Sequence, residues 1–131
     1  MNKDVEGWGS YQQELEERSK PRRPFLEGQV WRCAIGHNVG TEIDGKSQRY
    51  WRPVIIIRKF YDEFFIGVPL TSSSKNRPLY IPVTIKNKPS YAVVTQLRAL
   101  DARRLQQYIC RLTDAEVEAV HSAVINLFEI P

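Results

Sequence analysis

The sequence has 131 residues, enough for one domain with a modest hydrophobic core. Its formal net charge is +4, and residues 25–113 carry fourteen basic against six acidic side chains. A basic, β-rich segment favours a polyanionic partner, most often RNA or DNA, over a merely solvated basic surface. The first residues are charged and no apolar run approaches the length of a membrane span. A membrane protein and a signal peptide are therefore not expected, and a cytoplasmic protein is.

The sequence lacks the motifs that typically bind a metal ion or a nucleotide cofactor. Cys33 and Cys110 lie in apolar runs without metal-ligand spacing, and free, buried thiols are expected at both. No glycine-rich phosphate loop, CxxC pair or HExxH motif is present. We therefore expect neither a metal nor a cofactor.

The chain divides into an N-terminal arm, residues 1–24, and a folded domain, residues 25–131. In the arm, Ser10 and Gln13 match a capping box, which predicts a short helix. Pro21 and Pro24 would then end that helix.

The domain reads as a series of short strands followed by one helix. The helix is predicted over residues 114–128, because Thr113 and Glu116 match a capping box and an apolar stripe follows. Pro82 requires its strand to be an edge strand or to contain a bulge, and Lys86 to Ser90 is predicted as a turn. Such a pattern is typical of a mainly β fold, a small and strongly bent β-barrel with a terminal α-helix. The predicted strands cover residues 29–35, 52–58, 64–71, 79–85, 91–95, 97–100 and 105–112.

Two neighbouring apolar strands each have one polar side chain at an end. Arg52 precedes the run Pro53–Ile57, and Thr71 follows the run Phe64–Leu70. If the two strands form a hairpin, the guanidinium and the hydroxyl meet at the same end of the sheet. A guanidinium can bind two phosphate oxygens, and a hydroxyl can donate to a third. The hairpin therefore predicts a phosphate site, with a solvated arginine and a simple turn threonine as the alternative.

Five short motifs follow one another along the domain: Glu27–Trp31, Val39–Glu42, Arg52–Ile57, Pro69–Thr71 and Gln96–Asp101 with Arg104–Leu105. In this order they resemble the motifs of the MazF/PemK-type toxins, the ribonuclease halves of toxin–antitoxin pairs. The resemblance covers about residues 25–128 and leaves the arm aside. It implies an SH3-like barrel of the CcdB/PemK kind, a homodimer, and metal-independent cleavage of single-stranded RNA at short sequences. It also implies an acidic antitoxin that blocks the RNA groove, and DNA binding by the antitoxin complex.

The resemblance also implies roles for individual residues. Arg52 matches the arginine of the family's Arg-Pro motif, Thr71 its hydroxyl residue, and Glu42 the acid of its Gly-Ser-Glu-Gln loop. We expect Arg52 to stabilise the charge that develops on the phosphate and Thr71 to donate to a phosphate oxygen. Glu42 is expected to act as the base that removes the proton of the ribose 2′-hydroxyl, with His37 as the rival base. The sequence departs from the pattern at Thr41, where serine is usual, and at Ile43, where glutamine is usual. Some relatives have a charged Arg-x-Asp pair before the Gln-x-Arg motif, and here those two positions are Val93 and Thr95.

Loop residues around this site are the expected RNA-binding groups. They are polar or basic side chains that can contact phosphates or base edges: Thr41, Lys46, Arg49, Ser72, Ser73, Lys75, Gln96 and Arg98. Two other functions stay open from the sequence. One is a CcdB-like toxin that binds gyrase, and the other is a barrel that binds nucleic acid without cleaving it.

Overall fold

The structure, a computed structural model, describes residues 24–36, 51–73 and 78–129. The predicted strands and the terminal helix are present, and all strand pairs are antiparallel. Residues 1–23 of the N-terminal arm, with the short helix predicted there, lie outside the described residues. The elements are β1 (Gln29–Ala34), β2 (Trp51–Phe60), β3 (Phe64–Thr71), β4 (Tyr80–Ile85), β5 (Lys88–Val93), β6 (Arg98–Asp101), β7 (Leu105–Arg111) and α1 (Asp114–Leu127).

The seven strands form one sheet in the order β4-β5-β3-β2-β1-β7, with β6 beside the first half of β3. β3 changes neighbour along its length: Phe64–Gly67 pairs with β6, whereas Leu70 and Thr71 pair with β5. A bulge in β2 between Ile56 and Arg58 adds local twist. The result is a mainly β fold, a curled antiparallel half-barrel with one C-terminal helix, and this confirms the predicted fold class.

β2 is buried on both faces because the curled sheet separates two hydrophobic clusters. Val54 and Ile56 face one cluster with Trp31 and Phe65. Ile55 and Ile57 face a second cluster, which also contains apolar side chains of α1. Alternate side chains of a strand point to opposite faces, so burial on both faces requires an unbroken apolar run. This explains why Val54–Ile57 contains no polar residue.

The turn between β4 and β5 is shorter than predicted. Residues 86–90 were expected to form a turn, but only Lys86 and Asn87 do, and β5 begins at Lys88. Both turn residues have positive φ, 48° and 67°, as a two-residue type I′ hairpin requires. Lys88, Pro89 and Ser90 have turn-like side chains, yet they pair with β4 as a regular strand.

The outer edge of β4 is protected by two features. Pro82 has no N–H group to offer a further strand. The Thr84 N–H donates to Glu116 Oε2 of α1 at 2.6 Å. The other carboxylate oxygen, Glu116 Oε1, accepts from Thr113 N at 3.0 Å and completes the predicted capping box. Glu116 thus ties the start of the helix to the edge of the sheet.

No helix among the described residues is both long enough and apolar enough to cross a membrane. Both cysteines are free thiols, with Cys33 buried and Cys110 partly buried.

Replacement of Glu116 by glutamine tests the link between helix and sheet. Burial raises the pKa of the Glu116 carboxyl, but hydrogen bonds from the main chains of Thr113 and Thr84 outweigh it and leave the pKa below its usual value. A depressed pKa contributes stability above the unfolded-state value, which is lost as the pH falls through the folded-state value. We expect Glu116→Gln, with one acceptor oxygen, to lower the free energy of unfolding by about 1 kcal/mol at pH 7.

Urea unfolding at pH 7 and at decreasing pH measures both effects. The stability difference between wild type and Glu116→Gln should shrink as the pH falls below about 4.5, the ordinary pKa of a glutamate. Glu118→Gln, an exposed position on the same helix, is the matched control and should have little effect. Equal losses in the two variants would contradict the assigned role of Glu116.

Candidate functional site

The hairpin of β2 and β3 places Arg52 and Thr71 side by side. The paired register of the two strands ends at the pair Val54 and Pro69. Arg52 lies two residues before Val54, and Thr71 lies two residues after Pro69, so both stand at the same end of the hairpin. Arg52 is only 7% exposed, and its Nη1 donates to the Leu70 carbonyl of β3 at 3.4 Å. The guanidinium therefore lies against the end of β3, at the residue before Thr71.

The Thr71 hydroxyl is fixed by its own turn. Its Oγ1 accepts a hydrogen bond from Ser73 N at 3.2 Å, and its main-chain carbonyl accepts one from Ser90 Oγ of β5 at 3.1 Å. A hydroxyl has one proton to donate and can accept as well. Since the contact with Ser73 uses Oγ1 as acceptor, the hydroxyl proton remains for an acceptor such as a phosphate oxygen.

Arg52 has a buried thiol as its cross-strand neighbour. Cys33 of β1 pairs with Arg52 on one side and with Leu105 of β7 on the other. Burial raises the pKa of the Cys33 thiol well above its usual value, and the positive charge of Arg104 opposes this shift only in part. Cys33 is therefore a neutral, apolar support for Arg52 and is poorly suited to act as a nucleophile.

A second arginine lies at the same end of the sheet. Arg104 Nη1 donates to the Ala34 carbonyl at 3.0 Å, and Ala34 pairs with Trp51, the residue before Arg52. The contact ties the turn before β7 to the last residue of β1. Arg104 thus adds positive charge at this end of the sheet and holds the end of β1, the strand that pairs with Arg52.

Of the predicted RNA-binding residues, some lie near this pair and others do not. Ser72 and Ser73 follow Thr71 directly and are exposed. Gln96 lies in the 3-10 turn Val94–Gln96 before β6 and is half-buried. Arg98 pairs with Gly67, four residues before Thr71, so it lies about 13 Å along β3 from that residue. The remaining predicted residues lie outside the described residues: Thr41, Glu42, Lys46, Arg49, Lys75 and the rival base His37.

The structure adds contacts to this site that sequence reasoning missed, including one made by Arg104, which the sequence analysis named only as part of a motif. Tyr91 pairs with Thr71, Ser90 binds the Thr71 carbonyl, and Arg104 binds Ala34. The residue types gave no signal, because each contact joins segments far apart in the chain. The strand register places Leu105, Cys33 and Arg52 in one row across β7, β1 and β2, and it pairs Thr71 with Tyr91 across β3 and β5.

The arrangement is suited to an anion with several acceptor oxygens. A buried guanidinium next to a hydroxyl offers donors to two or three oxygens of one phosphate. Charge-assisted hydrogen bonds are strongest where water is largely excluded, as around Arg52. Within residues 24–36, 51–73 and 78–129, no group of three or more His, Cys, Asp or Glu side chains is placed to hold a metal ion.

These features define a class of protein, a curled antiparallel half-barrel with a C-terminal helix and a cationic site at one end of its central hairpin. Residues 26–128 match the family model described as "PemK-like, MazF-like toxin of type II toxin-antitoxin system". The chain belongs to this family. No curated protein matches the chain significantly.

Solved structures share the fold at low sequence identity. An endoribonuclease from a mycobacterial species, solved in complex with its cognate antitoxin, has 18% identity and a TM-score of 0.65, with 82% of this chain and 98% of that chain covered. MazF from Deinococcus radiodurans has 16% identity and a TM-score of 0.62, with 84% and 100% covered. Toxin MazF-mt6 from Mycobacterium tuberculosis has 16% identity and a TM-score of 0.60, with 79% and 98% covered.

Arg104 and its neighbour Arg103 allow a matched test of the support for this site. Arg103 pairs with Asp101 at 2.9 Å, and both side chains are partly exposed. We expect Arg104→Gln to lower the free energy of unfolding by about 1–3 kcal/mol, because the Ala34 carbonyl loses a charged donor. Arg103→Gln should cost only about 0–1 kcal/mol, because exposed ion pairs contribute little. Urea unfolding measures both, and a larger loss in Arg103→Gln would contradict this assignment.

Proposed function

We propose that this protein is the toxin of a type II toxin–antitoxin pair and a metal-independent endoribonuclease that cleaves single-stranded mRNA at specific sequences. The observation that carries the proposal is the buried Arg52 guanidinium at the end of the central hairpin, where it donates to the carbonyl of Leu70, the residue before Thr71. Membership of the MazF-like toxin family supports it.

In the proposed reaction the ribose 2′-hydroxyl attacks the adjacent phosphate and the 5′-oxygen of the next nucleotide leaves. A base removes the 2′ proton, an acid protonates the leaving oxygen, and donors stabilise the charge that develops on the non-bridging oxygens. Arg52 supplies the main electrostatic stabilisation and is also suited to protonate the leaving oxygen through a water. Thr71 donates its proton to a non-bridging oxygen.

We assign the base to the segment between β1 and β2, residues 37–50, which lies outside the described residues. Glu42 is the proposed base, and His37 is the rival because imidazole titrates near neutral pH. The described residues on either side of this segment are held in place, which supports either assignment. Ala34 is held by Arg104 on one side, and Trp51 begins the strand of Arg52 on the other.

RNA binding is proposed for the loops that border the site. Ser72 and Ser73 lie next to Thr71 and are exposed. Arg98 pairs with Gly67 of β3, and Gln96 lies in the turn just before it. Thr41, Lys46, Arg49 and Lys75 are assigned the same role from the sequence. If several of these cations contact phosphates, the logarithm of the affinity should fall with the logarithm of salt concentration, by about 0.7 per phosphate contact.

An antitoxin and a second copy of the chain are the proposed protein partners. The mycobacterial endoribonuclease was solved with its cognate antitoxin, and MazF of D. radiodurans was solved with MazE. By analogy, an acidic antitoxin segment would compete with RNA for the basic surface. DNA binding by the toxin–antitoxin complex, a homodimer and a cytoplasmic location are part of the same proposal.

Replacement of Arg52 tests the proposed catalytic role. We expect Arg52→Ala to lower kcat/KM for RNA cleavage by roughly two to three decades, or about 3–4 kcal/mol, because a preorganised donor to the transition state is lost. The assay uses a long RNA of mixed sequence with EDTA present. Arg58→Ala is the matched control, because Arg58 lies on the same strand with a side chain that is 70% exposed. It should cleave like wild type.

The outcomes separate the competing functions. If Arg52→Ala folds normally and retains near-normal cleavage, the catalytic assignment is wrong. If folded wild type leaves RNA intact, the endoribonuclease proposal is wrong. Tight RNA binding without turnover would then identify a non-catalytic nucleic-acid-binding barrel, and accumulation of gyrase–DNA cleavage complexes would identify a CcdB-like toxin.

The pH dependence of cleavage distinguishes Glu42 from His37. A general base acts only when deprotonated, so kcat/KM should rise with pH through the pKa of that group. We expect Glu42→Gln to be slower and to lose this acid limb, whereas His37→Ala should keep it. Loss of the limb in His37→Ala, with the limb retained in Glu42→Gln, would reverse the assignment.

A further inference from the structure

Tyr91 is the residue of β5 that lies directly opposite Thr71. Paired residues of antiparallel strands share a face of the sheet, with Cβ atoms about 5 Å apart. The preceding pair, Leu70 and Ala92, is buried on the other face among apolar side chains. Tyr91 therefore projects from the same face as Thr71, one strand away from it.

The surroundings of Tyr91 leave its ring partly accessible. On its other side Tyr91 pairs with Pro82 of the edge strand β4, and Pro82 is exposed. Tyr91 itself is half-buried, and its hydroxyl makes no hydrogen bond to any residue that the structure describes. A second half-buried tyrosine, Tyr80, lies two residues before Pro82 on the same face of β4.

The chemistry of this surface differs from that of the Arg52–Thr71 pair. Arg52 and Thr71 offer hydrogen-bond donors to an anion, whereas Tyr91, Pro82 and Tyr80 offer aromatic and apolar area. A single-stranded nucleotide needs both, because its phosphate takes charged donors and its unstacked base takes an aromatic surface. The two surfaces are adjacent and on one face, as a phosphate and its attached base would require.

We propose that the Tyr91 ring stacks on the base of a nucleotide next to the phosphate that Arg52 and Thr71 bind. This inference rests on the proposed endoribonuclease function and adds a binding residue to it. Stacking tolerates any base, so Tyr91 contributes affinity and position more than sequence choice. The stacking contact is the same before and during bond cleavage, and uniform binding of this kind lowers KM without changing kcat.

Steady-state cleavage of a short RNA that contains the cleavage site tests the proposal. The variants are Tyr91→Leu, which removes the ring, and Tyr91→Phe, which removes only the hydroxyl. We expect Tyr91→Leu to raise KM roughly 5- to 100-fold, with kcat within about 2-fold of wild type. Tyr91→Phe should behave like wild type. Tyr61→Leu is the control, because Tyr61 lies in the β2–β3 turn at the opposite end of the hairpin and is 83% exposed.

Other outcomes overturn the proposal in distinguishable ways. An unchanged KM in Tyr91→Leu contradicts stacking, as does an equal loss in Tyr91→Phe. A fall in kcat without a rise in KM also contradicts it, because it indicates a structural role. If Tyr91→Leu unfolds, Tyr91→Thr replaces it, since threonine suits a half-exposed strand position. If wild type itself does not cleave RNA, the proposed function fails and this inference fails with it.

Discussion

The antiparallel pairing of β2 with β3 is the constraint on which the site depends. The ladder from Phe60 and Phe64 to Val54 and Pro69 carries Arg52 and Thr71 to one end of the sheet. The pairing is held by burial of β2 on both faces, because one register satisfies two hydrophobic clusters at once. A slip of one residue would exchange the two faces and would move Arg52 away from Thr71. The site is thus fixed by the core.

The position of Arg52 follows from the same packing. Its neighbour in β1 is Cys33, a buried thiol that remains neutral because burial raises its pKa. The guanidinium reaches the Leu70 carbonyl, which orients it toward the end of β3. A buried, oriented cation interacts with a phosphate more strongly than a solvated one, and it needs no rearrangement when charge develops. Arg104 supports this arrangement through the Ala34 carbonyl at the end of β1.

The sequence predicted what depends on local pattern. Apolar runs located β2 and β3, and a capping box located the start of the helix, so the proximity of Arg52 and Thr71 was predictable. The turn after β4 is shorter in the structure than the sequence predicted. Lys88, Pro89 and Ser90 are residue types common in turns, yet they pair with β4 as a strand. The position of Tyr91 beside Thr71 could not be predicted from the sequence, because it depends on the change of partner along β3 from β6 to β5. The Arg104 contact with Ala34 spans 70 residues and has no local signature.

The most direct test of the central claim is the chemistry of the cut. An RNA with one cleavage site is compared with the same RNA that carries a 2′-deoxyribose on the 5′ side of the cut, both in EDTA. The account predicts fragments with a 2′,3′-cyclic phosphate or 3′-phosphate and a 5′-hydroxyl from the ribose substrate, and no cleavage of the deoxyribose substrate. Cleavage of the deoxyribose substrate, or cleavage that requires a divalent metal, would contradict attack by the 2′-hydroxyl at a phosphate held by Arg52 and Thr71.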